Sequence, residues 1–434
     1  MRFYQLRDWI LKQIDVKTRL QPICLWFILS LMVESRKHSL TFAAELSGLT
    51  KAQFSKFLKN NNEVNAHTLE SLSKKQAKVY AKVIKKIKGL PWKIVIIVDS
   101  TLQSRSSLKS DNVKKFNHGQ GFVVGHQWTN IILVINDIII PLVPIPFYSK
   151  SYCRKNKLEY KTEHERVIEY LKALNLEEYI GSYEPSDVVV IADSGYDDKN
   201  IEKTILDKKW DFIIALKSSR GVKSETQYKT TKKSSSWHSV KDFFKKQRRL
   251  AWETIRLFSV TDTRKKKRED FRIRHTITWL KGVGKVHLVC SERRLQSRQK
   301  RKFIACSNLA VTPEQLLKGY KIRWKIEIFH KHVKMNLGFE NVATKHFSAV
   351  ESHVYLVYCA YILLNANPPG IPESSKALFE KQQYLAGILE NNQIASILQQ
   401  LTQIGGVERF KDELKSALTS GNAHKPLFGA YQRA

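Results

Sequence analysis

The chain has 434 residues, 42% of them hydrophobic and 10% aromatic, with 74 Lys plus Arg against 40 Asp plus Glu, a formal net charge of +34. Such a length allows about two or three domains with at least one large core, and the composition excludes a disordered or collagen-like chain. A positive surplus of this size repels itself unless it meets a polyanion; nucleic acid fits, because phosphate neutralisation releases counterions, whereas a membrane surface calls for a basic amphipathic helix or lipid anchor and here the cations are spread over the whole chain.

The first residues, MRFYQLRDWILKQ, do not read as a signal peptide. Residues 1–90 lack strand-like alternation and are expected to be an all-α DNA-binding domain. Within it, 40–60 has a helix-turn-helix pattern. Phe42, Ala43 and Leu46 share a helix, Ser47-Gly48 turns, and Thr50 with Gln53 forms a capping box for the next helix. Phe54, Phe57 and Leu58 would pack that helix down and leave Lys51, Lys56 and Lys59 outward, as a recognition helix or as an ordinary helical hairpin.

Gly89 and Pro91 break the helical pattern. Then Ile94 to Val98, all β-branched, predict a buried strand that ends on Asp99. Strands follow at 128–137 and 138–147, with Asn136-Asp137 as the turn, then a helix at 162–176. A fourth strand, within 186–198, also runs into an acid, Asp193; a helix at 200–210 and a strand at 211–217 complete a β-β-β-α-β-α-β order. The α/β pattern then stops. Residues 218–302 hold 26 Lys plus Arg against 7 Asp plus Glu, a local net of +19. The alternation in ETIRLFSVTD and FRIRHTITWL predicts antiparallel strands, so this segment is expected to be a basic, β-rich, DNA-facing insertion.

Thr312, Pro313 and Gln315 mark the start of a long helix running to about Gly338, with a possible break at Gly319. At about 100° per residue, Tyr320, Arg323, Glu327, Lys331 and Lys334 fall on one face, and Ile322, Ile326, Phe329 and Val333 on the other. Taken alone, Glu327 reads equally well as half of an i, i+4 ion pair with Lys331. A second apolar helix, SAVESHVYLVYCAYILLNA, ends before Pro368-Pro369, and 366–434 reads as two short helices with a basic tail.

Cys24, Cys153, Cys290, Cys306 and Cys359 form no CxxC pair; buried thiols of a reducing, cytoplasmic compartment are expected. The apolar runs Cys24–Val33 and Val354–Leu364 fall short of the roughly 20 residues of a membrane span, so no membrane partner is expected. His126, beside Gly125, could face a site but reads more simply as a structural histidine, and His330 and His332 point away from each other on a helix.

Tyr320, two residues, Arg323, three residues, Glu327, six residues, Lys334 is the spacing of the YREK signature of bacterial transposases of insertion sequence family four. The chain resembles that family over roughly residues 90–365, with Asp99 in VDST and Asp193 in ADSGYD supplying the upstream acids. One departure is Ser194, where an Arg often follows the second Asp. The resemblance implies a ribonuclease H-like α/β catalytic domain over 91–217 and 303–365, split by the 218–302 insertion. C-terminal helices over 366–434 would then be a candidate dimerisation region. It implies a DDE transposase in which Asp99, Asp193 and Glu327 hold two Mg²⁺ or Mn²⁺ ions for in-line attack on phosphodiesters. Tyr320, Arg323, Lys331 and Lys334 would contact DNA beside the cut. The partners implied are double-stranded DNA with terminal inverted repeats, target DNA, and a second copy of the chain. Some members cut the second strand through a hairpin and stack a flipped base on an aromatic; Trp237, Trp252 and Trp279 are the candidates for that role, each equally open to simple packing. The alternatives are a catalytically inactive or host-adopted DNA-binding relative, and another ribonuclease H-like nuclease such as a junction resolvase.

Overall fold

In the computed structural model the N-terminal segment folds as helices α1 (Phe3–Gln13), α2 (Gln21–Met32), α3 (Leu40–Ser47), α4 (Lys51–Asn60) and α5 (Asn62–Ala81). Gly48 closes α3 at φ +70, a left-handed conformation open to glycine without strain. The Thr50–Gln53 capping box is complete, with Thr50 N–H donating to Gln53 Oε1 at 2.7 Å. Phe54, Phe57 and Leu58 are buried while Lys51, Lys56 and Lys59 are exposed, so the helical pair expected at 40–60 is present. The structure describes residues 3–33, 38–106, 108–119, 121–224, 237–246, 250–260, 266–293, 301–342, 344–372, 374–375 and 377–404. The basic tail expected after 404 and parts of the 218–302 segment lie outside the described residues.

The strands are β1 (Ile94–Ser104), β2 (Lys114–His118), β3 (Gly121–Ile135), β4 (Ile138–Pro141) and β5 (Ile145–Pro146); helices α6 (Lys150–Lys155), α7 (Glu163–Ala173) and α8 (Glu177–Ile180) follow. Then come β6 (Val188–Ala192), α9 (Lys199–Asp207), β7 (Asp211–Leu216), β8 (Gly221–Lys223), β9 (His238–Ser239), α10 (Val240–Lys246), β10 (Glu253–Val260), β11 (Lys266–Leu280), β12 (Gly284–Arg293) and β13 (Lys302–Cys306). Helices α11 (Pro313–Lys321), α12 (Trp324–Asn336), α13 (Phe347–Asn365) and α14 (Leu378–Ile404) follow. Two short helices were expected beyond residue 366; α14 is a long one, and the region after 404 lies outside the described residues. Strand β1 also runs five residues past Asp99, so the acid lies within the strand rather than at its end.

Contacts divide the chain into two units: residues 77–101 with 127–329, and residues 1–76 with 102–126 and 330–434. The first is built on a mixed sheet in the order β3-β1-β6-β7-β13-β12-β11-β8-β9, with β4 and β5 on the far side of β3. Strands β1, β6 and β7 are parallel and β13, β12 and β11 antiparallel. Strands β4, β3, β1, β6 and β7 make the ribonuclease H-like fold. The strands of 218–302 do not form a layer of their own. They extend the same sheet, because β13 pairs along β7 from Ile213↔Cys306 to Leu216↔Phe303. Asn136 and Asp137 turn β3 into β4 at φ +48 and +69, the two positive values a tight hairpin needs. The core lies on the sheet: Ile96, Val98, Val190, Phe212 and Ile214 are essentially inaccessible.

In the other unit α13 is buried along its length and packs on α2 and α4. By length and composition alone it could cross a membrane, although the run Val354–Leu364 could not. Its apolar stretch is 94% buried, however, as befits a core helix. The hairpin β2–β3 belongs to this unit, paired from Lys114↔Gly125 to His118↔Gly121. All five cysteines are buried and unpaired.

Thr312 caps α11 with Gln315, as its sequence requires. The helix does not break at Gly319. It breaks at Ile322–Arg323, where single 3₁₀-type bonds (Ile322 N–H to Gly319 O, Arg323 N–H to Tyr320 O) replace the α ladder before α12 begins. Gly319 serves a different purpose: a Cβ there would stand 2.6 Å from Ile213 Cδ1 and 3.4 Å from the Trp92 ring. Its missing side chain lets α11 lie close on β7. Gly319→Ala should therefore destabilise the fold by about 1–3 kcal/mol, despite alanine's better helix propensity. Gly387→Ala, where nothing lies within 4 Å, should instead stabilise by about 0.5–1 kcal/mol. Urea unfolding of both variants reads the sign directly.

Candidate active site

Parallel pairing sets two carboxylates side by side. The β1–β6 register runs from Ile94↔Val188 to Val98↔Ala192. The next residues, Asp99 and Asp193, therefore emerge together from adjacent strands about 4.8 Å apart, at the carboxyl edge where parallel α/β sheets place their sites. Glu327 arrives on the first turn of α12, because Ile326 and Phe329 are fully buried and turn the helix's polar side the other way. Arg323 ties β1 to α12. Its guanidinium donates to Asp99 Oδ2 at 3.1 Å and to Glu327 Oε1.

The electrostatics follow from this crowding. Burial first, and then the nearby Asp193, push the Asp99 carboxyl up to about 6; Glu327 adds to this, while Arg323 and the Ser100 N–H oppose it. Burial works against the charge of Arg323, but Tyr320, Asp99 and Glu327 outweigh it and hold the guanidinium more firmly protonated than usual. Burial also raises the Tyr320 phenol, which feels Arg323, Asp193 and Asp99 around it.

Asp193 is fixed by the turn it starts, where its Oδ1 accepts the Gly195 N–H at 2.8 Å. The turn is held from α7. Tyr196 Oη donates to Glu163 Oε1 at 2.6 Å, and Glu163 also accepts from Thr129 Oγ1 at 2.7 Å and Gln127 Nε2 at 2.9 Å. His164 Nε2 lies 2.8 Å from Gly195 O. Burial beside Glu163 drives the Tyr196 phenol well above its ordinary range. Sequence reading missed Glu163, His164 and Tyr196; the ADSGYD run holds a signal for Tyr196, but Glu163 reads only as an acid suited to a helix start.

Neighbouring acids are engaged elsewhere, and so are several other residues considered from the sequence. Asp198 caps α9 through the Asn200 N–H at 2.7 Å, whereas Asp197 is buried against Arg220 at 3.3 Å and caps nothing. Asp137 pairs with Lys325 at 3.2 Å. In the other unit His126 is buried, bonds Asp111 O at 3.0 Å and packs on Phe347, the role of a structural histidine. Lys331 and Lys334, on the later turns of α12, also fall in that unit. There Lys331 is exposed, and burial lowers the Lys334 ammonium beside Glu340. All three tryptophans pack against cations: Trp237 against Lys223, Trp252 against Arg272, Arg274 and Arg301, and Trp279 against Lys285.

Two carboxylates paired with one guanidinium, and a third beside Asp99, leave a negative surplus in a half-buried place. Hard oxygen donors with unbalanced charge suit a divalent cation such as Mg²⁺ or Mn²⁺. Among the described residues no three acids stand close enough to hold a metal ion as they are, and Arg323 itself bridges Asp99 and Glu327.

Residues 158–363 match the family model of the transposase DDE domain. The match covers a little under half of the chain; it includes Asp193 and Glu327 and starts after Asp99. No curated protein matches the chain. Over the matched segment the chain is similar to transposases, which supports transposase activity in general. Transposase DDE domains generally use divalent metal ions, and the similarity suggests a DNA substrate.

The raised Asp99 carboxyl makes a stability prediction. The folded protein holds that proton to about pH 6, the unfolded chain only to about pH 4. Stability of the metal-free protein should thus be fullest below about pH 4 and fall as pH rises through about 6. Asp99→Asn, which cannot ionise, should stabilise the metal-free protein by about 1–3 kcal/mol at about pH 7.5 and by little near pH 4. Urea titrations at the two pH values measure this. An equal effect at both would remove charge burial as the cause.

Proposed function

We propose that the chain is a DDE transposase that cleaves DNA at the inverted-repeat ends of a transposon and joins those ends to target DNA. The observation that carries this reading is the pairing of Asp99 and Glu327 with Arg323, with Asp193 beside Asp99 on the next strand of a ribonuclease H-like sheet. The transposase-domain match to the segment bearing two of these acids supports it. The YREK spacing supports the finer assignment to insertion sequence family four.

Asp99, Asp193 and Glu327 would hold two Mg²⁺ or Mn²⁺ ions, which supply a charge clamp for the attacking and leaving oxygens of a phosphodiester. The chain's own residues do the rest. Arg323 is the internal counter-ion of Asp99 and Glu327. Its planar guanidinium would also suit a phosphate, gripped through two parallel N–H bonds. Tyr320, beside Arg323, is placed to bond the same phosphate group. Lys331 and Lys334 serve as point charges along the DNA backbone. Glu163 and Tyr196 hold the Asp193 turn in register, so that the second acid does not swing away when DNA enters. Two copies of the chain would bring the two transposon ends together.

The test is cleavage of a linear duplex carrying the DNA that flanks the coding region, with Mg²⁺ or Mn²⁺. Wild type should cut at the repeat boundary. Asp99→Asn, Asp193→Asn and Glu327→Gln should each lose cutting and joining by about 100-fold or more while keeping end binding. Strand transfer that survives in Asp99→Asn would sink the assignment. Specific binding without cutting by the wild type would favour a catalytically inactive DNA-binding relative.

A further inference from the structure

Between Arg105 and His126 the chain carries Arg105, Lys109, Lys114 and Lys115 against one acid, Asp111, and no acid occurs from 112 to 136. This stretch folds as the β2–β3 hairpin. Its root is tightly held within its unit. The Arg105 guanidinium donates to Val342 O and, at 2.5 Å, to Thr344 O. Asp111 N–H donates to Lys345 O at 2.9 Å, and Gln103 Nε2 donates to Phe339 O at 2.5 Å. Gly125 lies so close to β1 that a Cβ would stand 1.9 Å from Gln103 O. The side chains along the ribbon are open to solvent. Lys114, Lys115, Asn117, Gly119, Gly121 and Phe122 are all exposed. The Phe122 ring is 56% accessible, with Lys115 Nζ only 3.5 Å from its centroid. Asp111, the one acid, faces His346 at 3.9 Å at the root, where Lys345 adds a further exposed cation.

A two-stranded ribbon with a fixed root, exposed lysines along one strand and an exposed aromatic ring on the other suits a nucleic-acid groove. Ribbons of this width enter the major groove. Exposed lysines neutralise phosphates, and apolar rings rest against bases or wedge between base steps. An exposed phenylalanine beside a lysine gains nothing from solvent, but both halves of the pair gain from a polyanion that carries flat bases.

We propose that the β2–β3 hairpin is a DNA-gripping ribbon, with Lys114 and Lys115 on backbone phosphates and Phe122 against the bases. This rests on the DNA-processing function proposed above and adds a contact surface on residues outside the YREK positions.

The experiment is fluorescence anisotropy of the full chain with a labelled duplex of about 30 base pairs, titrated across several salt concentrations. Lys114→Gln/Lys115→Gln should flatten the slope of log affinity against log salt by about two, one unit per lost phosphate contact. Phe122→Ala should weaken binding about 5-fold or more while leaving the slope unchanged. Lys114→Arg/Lys115→Arg should restore the wild-type slope. Melting temperatures matching wild type separate contact loss from unfolding, and all these side chains are exposed. Wild-type slope and affinity in both the Gln and the Phe122→Ala variants would overturn the ribbon while leaving the transposase reading intact. A wild type that binds no duplex at all would overturn both.

Discussion

Two acidic residues forced together by a backbone register are the constraint on which the candidate site depends. The β1–β6 pairing is parallel and in step through five pairs, so the side chains of residues 99 and 193 cannot be moved apart without slipping the sheet. A one-residue slip would also turn the inward-facing β-branched residues of β1 to the wrong side. The hydrophobic core thus enforces an arrangement that electrostatics opposes. Asp99 bears the cost as a carboxyl pushed up to about 6, and Arg323 offsets part of it by pairing with Asp99 and Glu327. Neighbouring acids, restrained by packing and only partly neutralised, form a place where an added cation is stabilising.

The break between α11 and α12 matters for the same reason. An unbroken helix would carry the direction set by α11, which is fixed by the close approach of Gly319 to Ile213, straight through residue 327. The 3₁₀ step at Ile322–Arg323 separates the two demands. Helix α11 packs on β7, and α12 is free to seat Ile326 and Phe329 in the core and bring Glu327 to Arg323. A helix of the same residues without that step would satisfy one contact at the expense of the other.

Much of this was legible in the sequence, and the physical reason is locality. The β-branched run ending at Asp99, the run ending at Asp193, the capping boxes at Thr50 and Thr312 and the Asn136-Asp137 turn are all written in a few consecutive residues. What was not legible is non-local. The early start of β3 and the whole of β2 depend on their pairing with each other, and 114–125 is too polar and glycine-rich to announce it. Gly319 was read as a weak point of a helix, because the Ile213 side chain it makes room for is remote in sequence. Glu163 looked like an ordinary first-turn acid, because Gln127, Thr129 and Tyr196 converge on it only after the sheet has formed. The strands of 218–302 were foreseen as strands, but their continuation of the β7 edge through β13 could not be.

The charge of the chain gives the site its direction. A net +34 attracts a polyanion to the whole surface, yet at the candidate site acids outnumber cations: Asp99 and Glu327 share Arg323, and Asp193 lies beside Asp99. DNA drawn in by the surface would meet repulsion there unless the acids were already neutralised. Arg323 is held on Asp99 and Glu327 in the metal-free fold. Under the proposed function, a divalent cation held by the carboxylates would supply the positive charge that a phosphate requires there. If the proposed function holds, metal and phosphate affinity at this site would be coupled through a single guanidinium. A substitution that weakens the pairing of Arg323 with the acids should favour the phosphate-binding orientation even as it removes a stabilising contact from the metal-free fold.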